Sequence, residues 1–172
     1  STFASRTLLG RHPPETDEAG RVEARELLGL MGKSGLYAPI GNRDLRGACL
    51  TRETIASASP LADAVWALQG LGITPLLIAG TDAQQAQWAG PALQGALMGG
   101  FAITEPESGS DVASVKTSAK RDGDTWVING HKWYISNAGI ADFYIVFSST
   151  DPDKGSRGLS AFLVPAEAEG LR

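Results

Sequence analysis

The stretch Gly99-Gly-Phe-Ala-Ile-Thr-Glu-Pro-Glu-Ser-Gly-Ser-Asp-Val112 decides how the rest of the chain is organised. It predicts a short strand over residues 101–104. The strand has to end at Pro106, because proline has no N–H group to donate to a neighbouring strand. Glycine and serine follow, so the chain is predicted to leave the strand into a loop of small residues with unusual backbone angles.

This loop has two possible roles. Ser108, Gly109 and Ser110 could form a concave nest of amide and hydroxyl donors, which would suit a phosphate or pyrophosphate group. The alternative is an ordinary exit from a strand, in which Asp111 caps a short helical turn. These few residues do not decide between the two, because short motifs often occur by chance.

A second segment, Ile128-Asn-Gly-His-Lys-Trp-Tyr-Ile-Ser-Asn137, follows at a short distance in the sequence. The pair of segments resembles two motifs of the acyl-CoA dehydrogenase flavoproteins. In that family the first motif is usually Thr-Glu-Pro-x-x-Gly-Ser-Asp, and the second is Asn-Gly-x-Lys-x-(Trp)-Ile-(Thr/Ser)-Asn. The resemblance covers residues 25 to 172, and two linked motifs are more specific than one.

The composition is typical of a globular protein, with 42% hydrophobic and 20% charged residues and a formal net charge of −4. No basic stripe favours nucleic acid. The longest apolar run, residues 71–80, is too short to cross a bilayer, so no membrane partner is expected. Cys49 is predicted to be a small buried residue rather than a nucleophile, and a single thiol fits a reducing compartment, the cytoplasm.

The first part of the chain has helical periodicity. A helix is predicted from Thr16 to Gly35, followed by an extended piece over residues 36–40 and a helix over residues 46–58. Pro75 is expected to separate a helix ending near residue 70 from another over residues 74–79. A further helix over residues 83–89, capped by Asp82, is expected to end at a Gly-Pro break. Residues 1–16 are predicted to be irregular.

The second part changes to short β segments. Strands are predicted by alternation and turn signals over residues 115–121, 125–129, 132–136, 143–148 and 159–164. The fold class is therefore α+β, with an all-helical N-terminal domain (1–97) and an antiparallel, barrel-like β domain (98–172). The resemblance implies that this β domain is incomplete and that the C-terminal helical bundle of the family is absent from this chain.

The resemblance also implies an FAD site. Its matching positions for the cofactor are Phe101, Ile103, Thr104, Gly109, Ser110, Tyr134 and Ser136. The first three offer backbone and hydroxyl groups to the pyrimidine edge of the flavin, and Gly109 and Ser110 face the diphosphate. Tyr134 offers its ring, and the Ser136 hydroxyl, on the same side of the predicted strand, bonds the reactive N5 region.

The implied reaction is α,β-dehydrogenation of an acyl-CoA thioester, with proton abstraction at Cα and hydride transfer from Cβ to the flavin. The family's base is a glutamate of the C-terminal domain, so no catalytic residue is assigned here and the glutamate is expected beyond Arg172. Ser110 also contacts the CoA portion by resemblance. The helix over residues 61–70 is expected to line the acyl pocket, with Trp66, Leu68 and Gln69 setting its size.

Several residues have simpler interpretations. Glu107 stands where the family often has glycine and is expected to point to solvent. Lys132 is predicted to be a solvated flank, and His131 an exposed neighbour of a turn. Phe101 and Tyr134 replace a frequent tyrosine and tryptophan of the family.

Three functions compete. The first is an FAD-dependent acyl-CoA dehydrogenase that is a homodimer or homotetramer and passes electrons to an electron-transfer flavoprotein or a similar acceptor. The second is an acyl-CoA oxidase or flavin-dependent monooxygenase on the same fold. The third is a non-catalytic module that has lost its cofactor.

Overall fold

The computed structural model describes residues 3–172 and divides into two compact units. The first unit ends at Gly99 and is helical. The second, Gly100–Arg172, contains almost the whole of a five-stranded sheet. An α+β class is therefore confirmed.

The helices of the first unit begin and end where capping residues allow. They are α1 (Asp17–Lys33), α2 (Ala38–Gly41), α3 (Leu45–Ala56), α4 (Pro60–Ala79), α5 (Asp82–Gln84) and α6 (Gly90–Leu93), with short π-helices at Ala4–Leu8 and Gln85–Ala89. The Ser59 hydroxyl caps α4 by accepting from the Ala62 amide, and the Asp44 carboxylate caps α3 by accepting from Gly47. Both caps satisfy amides that have no partner within the helix.

The predicted first helix is confirmed. The Thr16 hydroxyl accepts from the Ala19 amide at 3.1 Å, and Gly35 leaves the helix with a φ of 69°. Of its apolar residues, Leu27 and Met31 are 0% exposed, whereas Val22 is 68% exposed. Gly32 lies so close to the chain at Gln94 that a Cβ atom would meet the Gln94 carbonyl oxygen at 2.2 Å. At Gly32 the backbone of α1 therefore lies directly against the backbone at Gln94.

The expected break at Pro75 is wrong, because α4 runs continuously from Pro60 to Ala79. A proline inside a helix costs about 3 kcal/mol through a lost hydrogen bond and a steric clash. Burial of Gln69, Ile73 and Leu76 on both sides of Pro75 offsets that cost. By length and composition alone, α4 passes the test for a membrane-spanning helix, which buried core helices also pass.

Three other local predictions are wrong. Residues 36–40 are not extended: Pro39 lies in the first turn of α2, where a missing N–H costs nothing. The Gly90-Pro91 pair does not end the helix, because the preceding π-helix bonds the Gly90 amide to Gln85 and α6 begins there. The irregular lead-in contains the π-helix Ala4–Leu8; residues 1 and 2 lie outside the described part.

Cys49 and Asp82 also differ from expectation. The Cys49 side chain is exposed rather than buried, because it lies on the solvent side of α3. The cap of α5 is Thr81 instead of Asp82: its hydroxyl accepts from the Gln84 amide, and the Gln84 side chain accepts from the Thr81 amide. This reciprocal pair is a capping box.

The sheet is open and mixed. Its strands are β1 (Gly99–Ala102), β2 (Ser118–Asp122), β3 (Thr125–Asn129), β4 (Phe143–Ser149) and β5 (Leu159–Pro165). The order is β1-β4-β2-β3, and β5 also pairs with β4. Strands β2 and β3 form the predicted hairpin around Gly123, and β4 and β5 are antiparallel along their whole length.

The predicted antiparallel, barrel-like sheet is wrong in two respects. Strands β2 and β4 are parallel at Ser118 and Ser149, and within the described residues β3 pairs with β2 alone, so the sheet does not close. The parallel pair arises because β3 folds back on β2 and brings the chain to the starting end of β2, and the segment 130–142 then leads into β4 at that end. That segment contains no strand, so the strand predicted over residues 132–136 is also wrong.

We expect two glycines of α1 to respond oppositely to substitution. In Gly32→Ala the new methyl group meets the Gln94 backbone at 2.2 Å, whereas in Gly29→Ala the nearest atom is 4.0 Å away. Overpacking against backbone costs about 1–3 kcal/mol, and alanine in an open helix position gains up to about 1 kcal/mol over glycine. Urea unfolding of the two variants measures the difference, and equal stabilities would contradict the close packing at Gly32.

Candidate functional site

The chain reverses sharply where β1 ends. The Glu105 amide donates to the Ser108 carbonyl at 2.8 Å, and the Ser108 amide donates back to the Glu105 carbonyl at 3.2 Å. Pro106 and Glu107 form the exposed corner. The Ser108 hydroxyl is buried and donates to the Asp111 carbonyl at 2.7 Å. Ser108 is therefore committed to the turn, and its predicted place among the donors of the nest is wrong.

Gly109 and Ser110 follow this turn and are exposed. Their amides and the Ser110 hydroxyl donate to no other group in the part of the chain that the structure describes. Asp111 then caps the short helix Val112–Ser114 by accepting from the Ala113 amide at 3.2 Å, so the capping interpretation of Asp111 is confirmed. The loop therefore contains both a cap and two consecutive amides that face solvent.

The second segment is irregular from Gly130 onwards. Gly130 packs against Thr117 so closely that a Cβ atom would lie 2.2 Å from its Oγ1 atom, which explains why glycine stands here. Tyr134 has a φ of 55°, in the left-handed region that strands do not use. Tyr134 and Ser136 therefore do not share one side of a strand as predicted.

The aromatic side chains of this segment lie on the surface. Tyr134 is 84% exposed, and Trp133 is 44% exposed with its ring centroid 5.4 Å from that of Tyr134. His131 is exposed and contacts the edge of Trp133, which confirms its predicted place as an exposed neighbour of the turn. Ile135 instead packs against the buried cluster of Ala102, Ala141, Tyr144 and Val146. The segment is thus anchored by one apolar side chain and presents rings to solvent.

The two segments meet in space. The Trp133 amide donates to the Thr104 carbonyl at 2.9 Å. The Lys132 ammonium donates to the Ile103 carbonyl at 3.0 Å and to the Glu105 carboxylate at 2.7 Å. Three bonds therefore join residues 103–105 to residues 132–133.

Glu105 is the centre of this junction. Its carboxylate accepts from the Lys132 ammonium, from the amides of Lys116 (2.7 Å) and Thr117 (2.9 Å), and from the Thr117 hydroxyl. Burial by itself raises the pKa of this carboxyl. The bonds from Lys132, Thr117 and Lys116 outweigh burial and lower the pKa to about 2. Glu105 is therefore ionised in the folded protein at neutral pH.

Lys132 is buried with it. Only 11% of the Lys132 side chain and 6% of the Glu105 side chain are exposed, so the prediction that Lys132 is a solvated flank is wrong. Burial lowers the pKa of Lys132, and the Glu105 carboxylate opposes that shift. By contrast, Glu107 and its partner Lys116 are both exposed, which confirms that Glu107 points to solvent.

Sequence reasoning missed Glu105. The sequence does contain a lysine in the second segment and carboxylates in the first, but Glu107 and Asp111 stand near Glu105, so the sequence alone does not single out Glu105. A buried charge has to be paired, but the sequence does not show that Glu105 and Lys132 are buried.

The remaining predicted flavin residues lie along the same two segments. Phe101 is on β1, with its ring centroid 5.1 Å from that of Phe147. Within the described residues, the amides of Ile103 and Thr104 and the hydroxyls of Thr104 and Ser136 have no hydrogen-bond partner. Gly109 and Ser110 make no hydrogen bond to the second segment of the described chain. The structure thus joins Ile103 and Thr104 to the residues beside Tyr134.

The predicted acyl-pocket residues Trp66 and Gln69 lie in the helical unit, and their polar atoms bond within it. The Trp66 indole N–H donates to the Leu36 carbonyl at 2.9 Å, and the ring stacks on Tyr37. The Gln69 amide donates to the carbonyls of Ala92 and Leu97, and its oxygen accepts from the Gly99 amide. Trp66 and Gln69 are 3% and 0% exposed. Contact of these side chains with an acyl group stays a prediction.

Comparison with known proteins finds relatives of this chain. Residues 100–172 match the family model of the acyl-CoA dehydrogenase middle domain. The probable acyl-CoA dehydrogenase fadE25 of Mycobacterium leprae is 35% identical over 169 residues, which is 95% of this chain and 43% of that protein. The chain thus spans less than half the length of this relative.

Two solved structures are also similar to this chain. Glutaryl-CoA dehydrogenase from Mycobacterium smegmatis gives a TM-score of 0.81 at 28% identity and covers 98% of this chain and 44% of its own. The structure of PigA with FAD and proline gives a TM-score of 0.77 at 25% identity, covering 98% and 46%. This chain belongs to the acyl-CoA dehydrogenase family, so the resemblance of the two motifs is confirmed.

Loss of the Glu105 charge is expected to destabilise the second unit. Because the pKa of Glu105 lies at about 2 instead of the ordinary 4.5, its ionised form stabilises the fold above pH 4.5. That stabilisation is lost as the pH falls from 4.5 through 2. Each pKa unit corresponds to about 1.4 kcal/mol, so Glu105→Gln should lower the free energy of unfolding at pH 7 by about 3 kcal/mol.

Urea unfolding between pH 2 and pH 7 measures this effect, and the variant should show a flatter acid limb than the unmodified protein. Glu107→Gln is the matched control, because Glu107 is two residues away, is also paired with a lysine and is exposed. We expect no change at Glu107. An equal decrease in the free energy of unfolding in Glu105→Gln and Glu107→Gln would contradict the stabilising role of the buried carboxylate.

Proposed function

We propose that the complete protein is an FAD-dependent acyl-CoA dehydrogenase, and that residues 101–137 contribute its flavin site. Membership of the acyl-CoA dehydrogenase family supports the reaction class. The observation that carries the proposal is the junction of the two motifs through Thr104, Lys132 and Trp133. A flavin needs bonds at its polar rim, a surface against one ring face and donors for its pyrophosphate, and neither segment supplies all three.

The donor set fits FAD. The pyrimidine edge of the flavin has carbonyl oxygens, and the amides of Ile103 and Thr104 are donors that no other described residue uses. The pyrophosphate carries negative charge, and the amides of Gly109 and Ser110 are donors of the same kind. Consecutive exposed amides of this sort commonly bind phosphate groups.

Each residue then has a defined task. The backbone at Phe101 and Ile103 and the Thr104 hydroxyl orient the pyrimidine edge, and Gly109 and Ser110 hold the pyrophosphate. Tyr134 supplies an aromatic surface. The Ser136 hydroxyl, which is exposed and has no partner among the described residues, bonds the region of flavin N5.

When bound, FAD supplies the acceptor for the hydride that leaves Cβ of the acyl thioester. The proton at Cα needs a carboxylate base, and no residue of this chain is assigned to that task. Ser110 is proposed to contact the CoA portion as well. Because the polar atoms of Trp66 and Gln69 are already bonded, we assign these two residues to shaping the acyl pocket by holding α4 in place.

The partners of this function follow from the family. The substrate is an acyl-CoA thioester, the electron acceptor is an electron-transfer flavoprotein or a similar protein, and the assembly is a homodimer or homotetramer. An oxidase on the same fold differs by its reaction with oxygen, so reduction and reoxidation of the flavin have to be measured separately.

The visible spectrum of the purified complete protein tests the cofactor. We expect flavin absorbance near about 450 nm, and bleaching of that band when saturated acyl-CoA thioesters are added without oxygen. Reoxidation by air should be slow, because a dehydrogenase passes its electrons to a protein acceptor. Absence of the band even after FAD is added would overturn the proposal, and rapid turnover with oxygen alone would favour an oxidase.

Removal of one proposed phosphate donor should weaken FAD binding without unfolding the protein. A hydrogen bond to a charged group contributes about 1.5–3 kcal/mol, so Ser110→Ala should raise the dissociation constant of FAD at least about tenfold. Titration of the apoprotein by flavin fluorescence measures the constant. Ser156→Ala is the control, since Ser156 is an exposed serine of the loop before β5. An unchanged constant in Ser110→Ala would exclude the Ser110 hydroxyl from the pyrophosphate site.

A further inference from the structure

We propose that the buried Glu105–Lys132 ion pair is the positioning element of the flavin site. In this role the pair fixes the first motif against the second and directs the backbone donors of Ile103 and Thr104 toward the cofactor. The inference rests on the proposed function, because it assigns Glu105 and Lys132 a task in the same site. Both are positioning residues and act through the backbone groups that they hold.

Three hydrogen bonds join residues 103–105 to residues 132–133, and we call this group of bonds the clamp. One ammonium group, Nζ of Lys132, reaches both the Ile103 carbonyl at 3.0 Å and the Glu105 carboxylate at 2.7 Å. The adjacent Trp133 amide donates to the Thr104 carbonyl at 2.9 Å. Three successive residues of the first segment are therefore bonded by two successive residues of the second, so neither segment can slide along the other without breaking all three bonds.

The bonds from Lys132 and Trp133 also determine which backbone groups of residues 103 and 104 stay available to a ligand. The carbonyls of Ile103 and Thr104 are occupied by Lys132 and Trp133, whereas the amides of Ile103 and Thr104 have no partner within the described chain. The amide donors of residues 103 and 104 are therefore available to a ligand, whereas their carbonyl acceptors are already bonded. That selection suits a ligand edge rich in carbonyl oxygens.

The Glu105–Lys132 pair is shielded from solvent. Lys132 and Glu105 are 11% and 6% exposed at their side chains, and Thr117 and Lys116 satisfy the remaining carboxylate positions. Replacing such a pair with apolar residues is often neutral for stability, and in some proteins a buried polar or ionic group serves to fix one unique arrangement. Here the arrangement is the register between residues 103–105 and residues 132–133, which lie outside the five strands of the described sheet.

The pair has an electrical consequence at the cofactor. Its two charges cancel while both are present. Removal of one leaves the other buried close to Thr104, where the flavin edge is proposed to bind. Since reduction adds negative charge to a flavin, a remaining positive charge should favour the reduced form, and a remaining negative charge should oppose it.

The experiment uses the complete protein and three variants, Glu105→Gln, Lys132→Met and the double variant. Two quantities are measured: the dissociation constant of FAD from the apoprotein and the reduction potential of the bound flavin. We expect each single variant to bind FAD at least about tenfold more weakly and the double variant to recover part of that loss. The potential should rise in Glu105→Gln and fall in Lys132→Met. A merely structural defect would not give shifts of opposite sign.

Glu107→Gln is the matched control, because it removes an exposed charge two residues from Glu105, and both quantities should stay unchanged. Single variants that bind FAD as tightly as the unmodified protein, or potentials that shift in the same direction, overturn the inference. If Glu105→Gln does not fold, Lys132→Met is compared with the double variant. The double variant, which lacks both charges, should then have a higher flavin reduction potential and bind FAD more tightly than Lys132→Met. Equal values in these two variants overturn the inference.

The two proposals fail in different ways. An unmodified protein that binds no FAD overturns the proposed function. An unmodified protein that binds FAD, with variants that behave identically to it, overturns the clamp alone.

Discussion

A single buried carboxylate organises the functional part of this chain. Glu105 accepts hydrogen bonds from the adjacent residues Lys116 and Thr117 and from Lys132 in a later segment of the chain. A buried charge is tolerated only when it is paired and fully bonded. Displacement of either segment leaves the buried carboxylate only partly bonded, so the turn after β1, the residues before β2 and the loop after β3 have to stay together.

The neighbouring residues follow from that constraint. Gly130 has no side chain because Thr117, which donates to Glu105, occupies the space. Ile135 fastens the other end of the loop to the core of the second unit. Between these anchors the chain has few bonds of its own, and Tyr134 takes a left-handed backbone angle that turns its ring to the surface. The proposed site thus combines a base held by hydrogen bonds with an exposed aromatic side chain, which could contact a flat ring.

Local sequence signals predicted the features that depend on neighbouring residues. The cap at Thr16, the turn of the hairpin around Gly123 and the cap at Asp111 each involve partners within four residues, and all three occur in the structure. The family motifs singled out two segments that the structure brings together through hydrogen bonds. Whether the flavin binds as the motifs imply remains a prediction.

Features that depend on distant contacts were not predictable in this way. The continuity of α4 through Pro75 is decided by burial of its flanking residues, which no local rule includes. The burial of Lys132 is decided by Glu105, 27 residues earlier. The segment after Asn129 alternates in a manner typical of a strand, but within the described residues it has no neighbouring strand with which to pair.

The central claim is that two separate segments form one flavin site. Hydrogen–deuterium exchange of the complete apoprotein, with and without added FAD, tests this most directly. The account predicts that amides in residues 103–110 and in residues 131–137 become protected together, with the same dependence on FAD concentration. Protection of only one segment, or of neither, at FAD concentrations that saturate binding would contradict it.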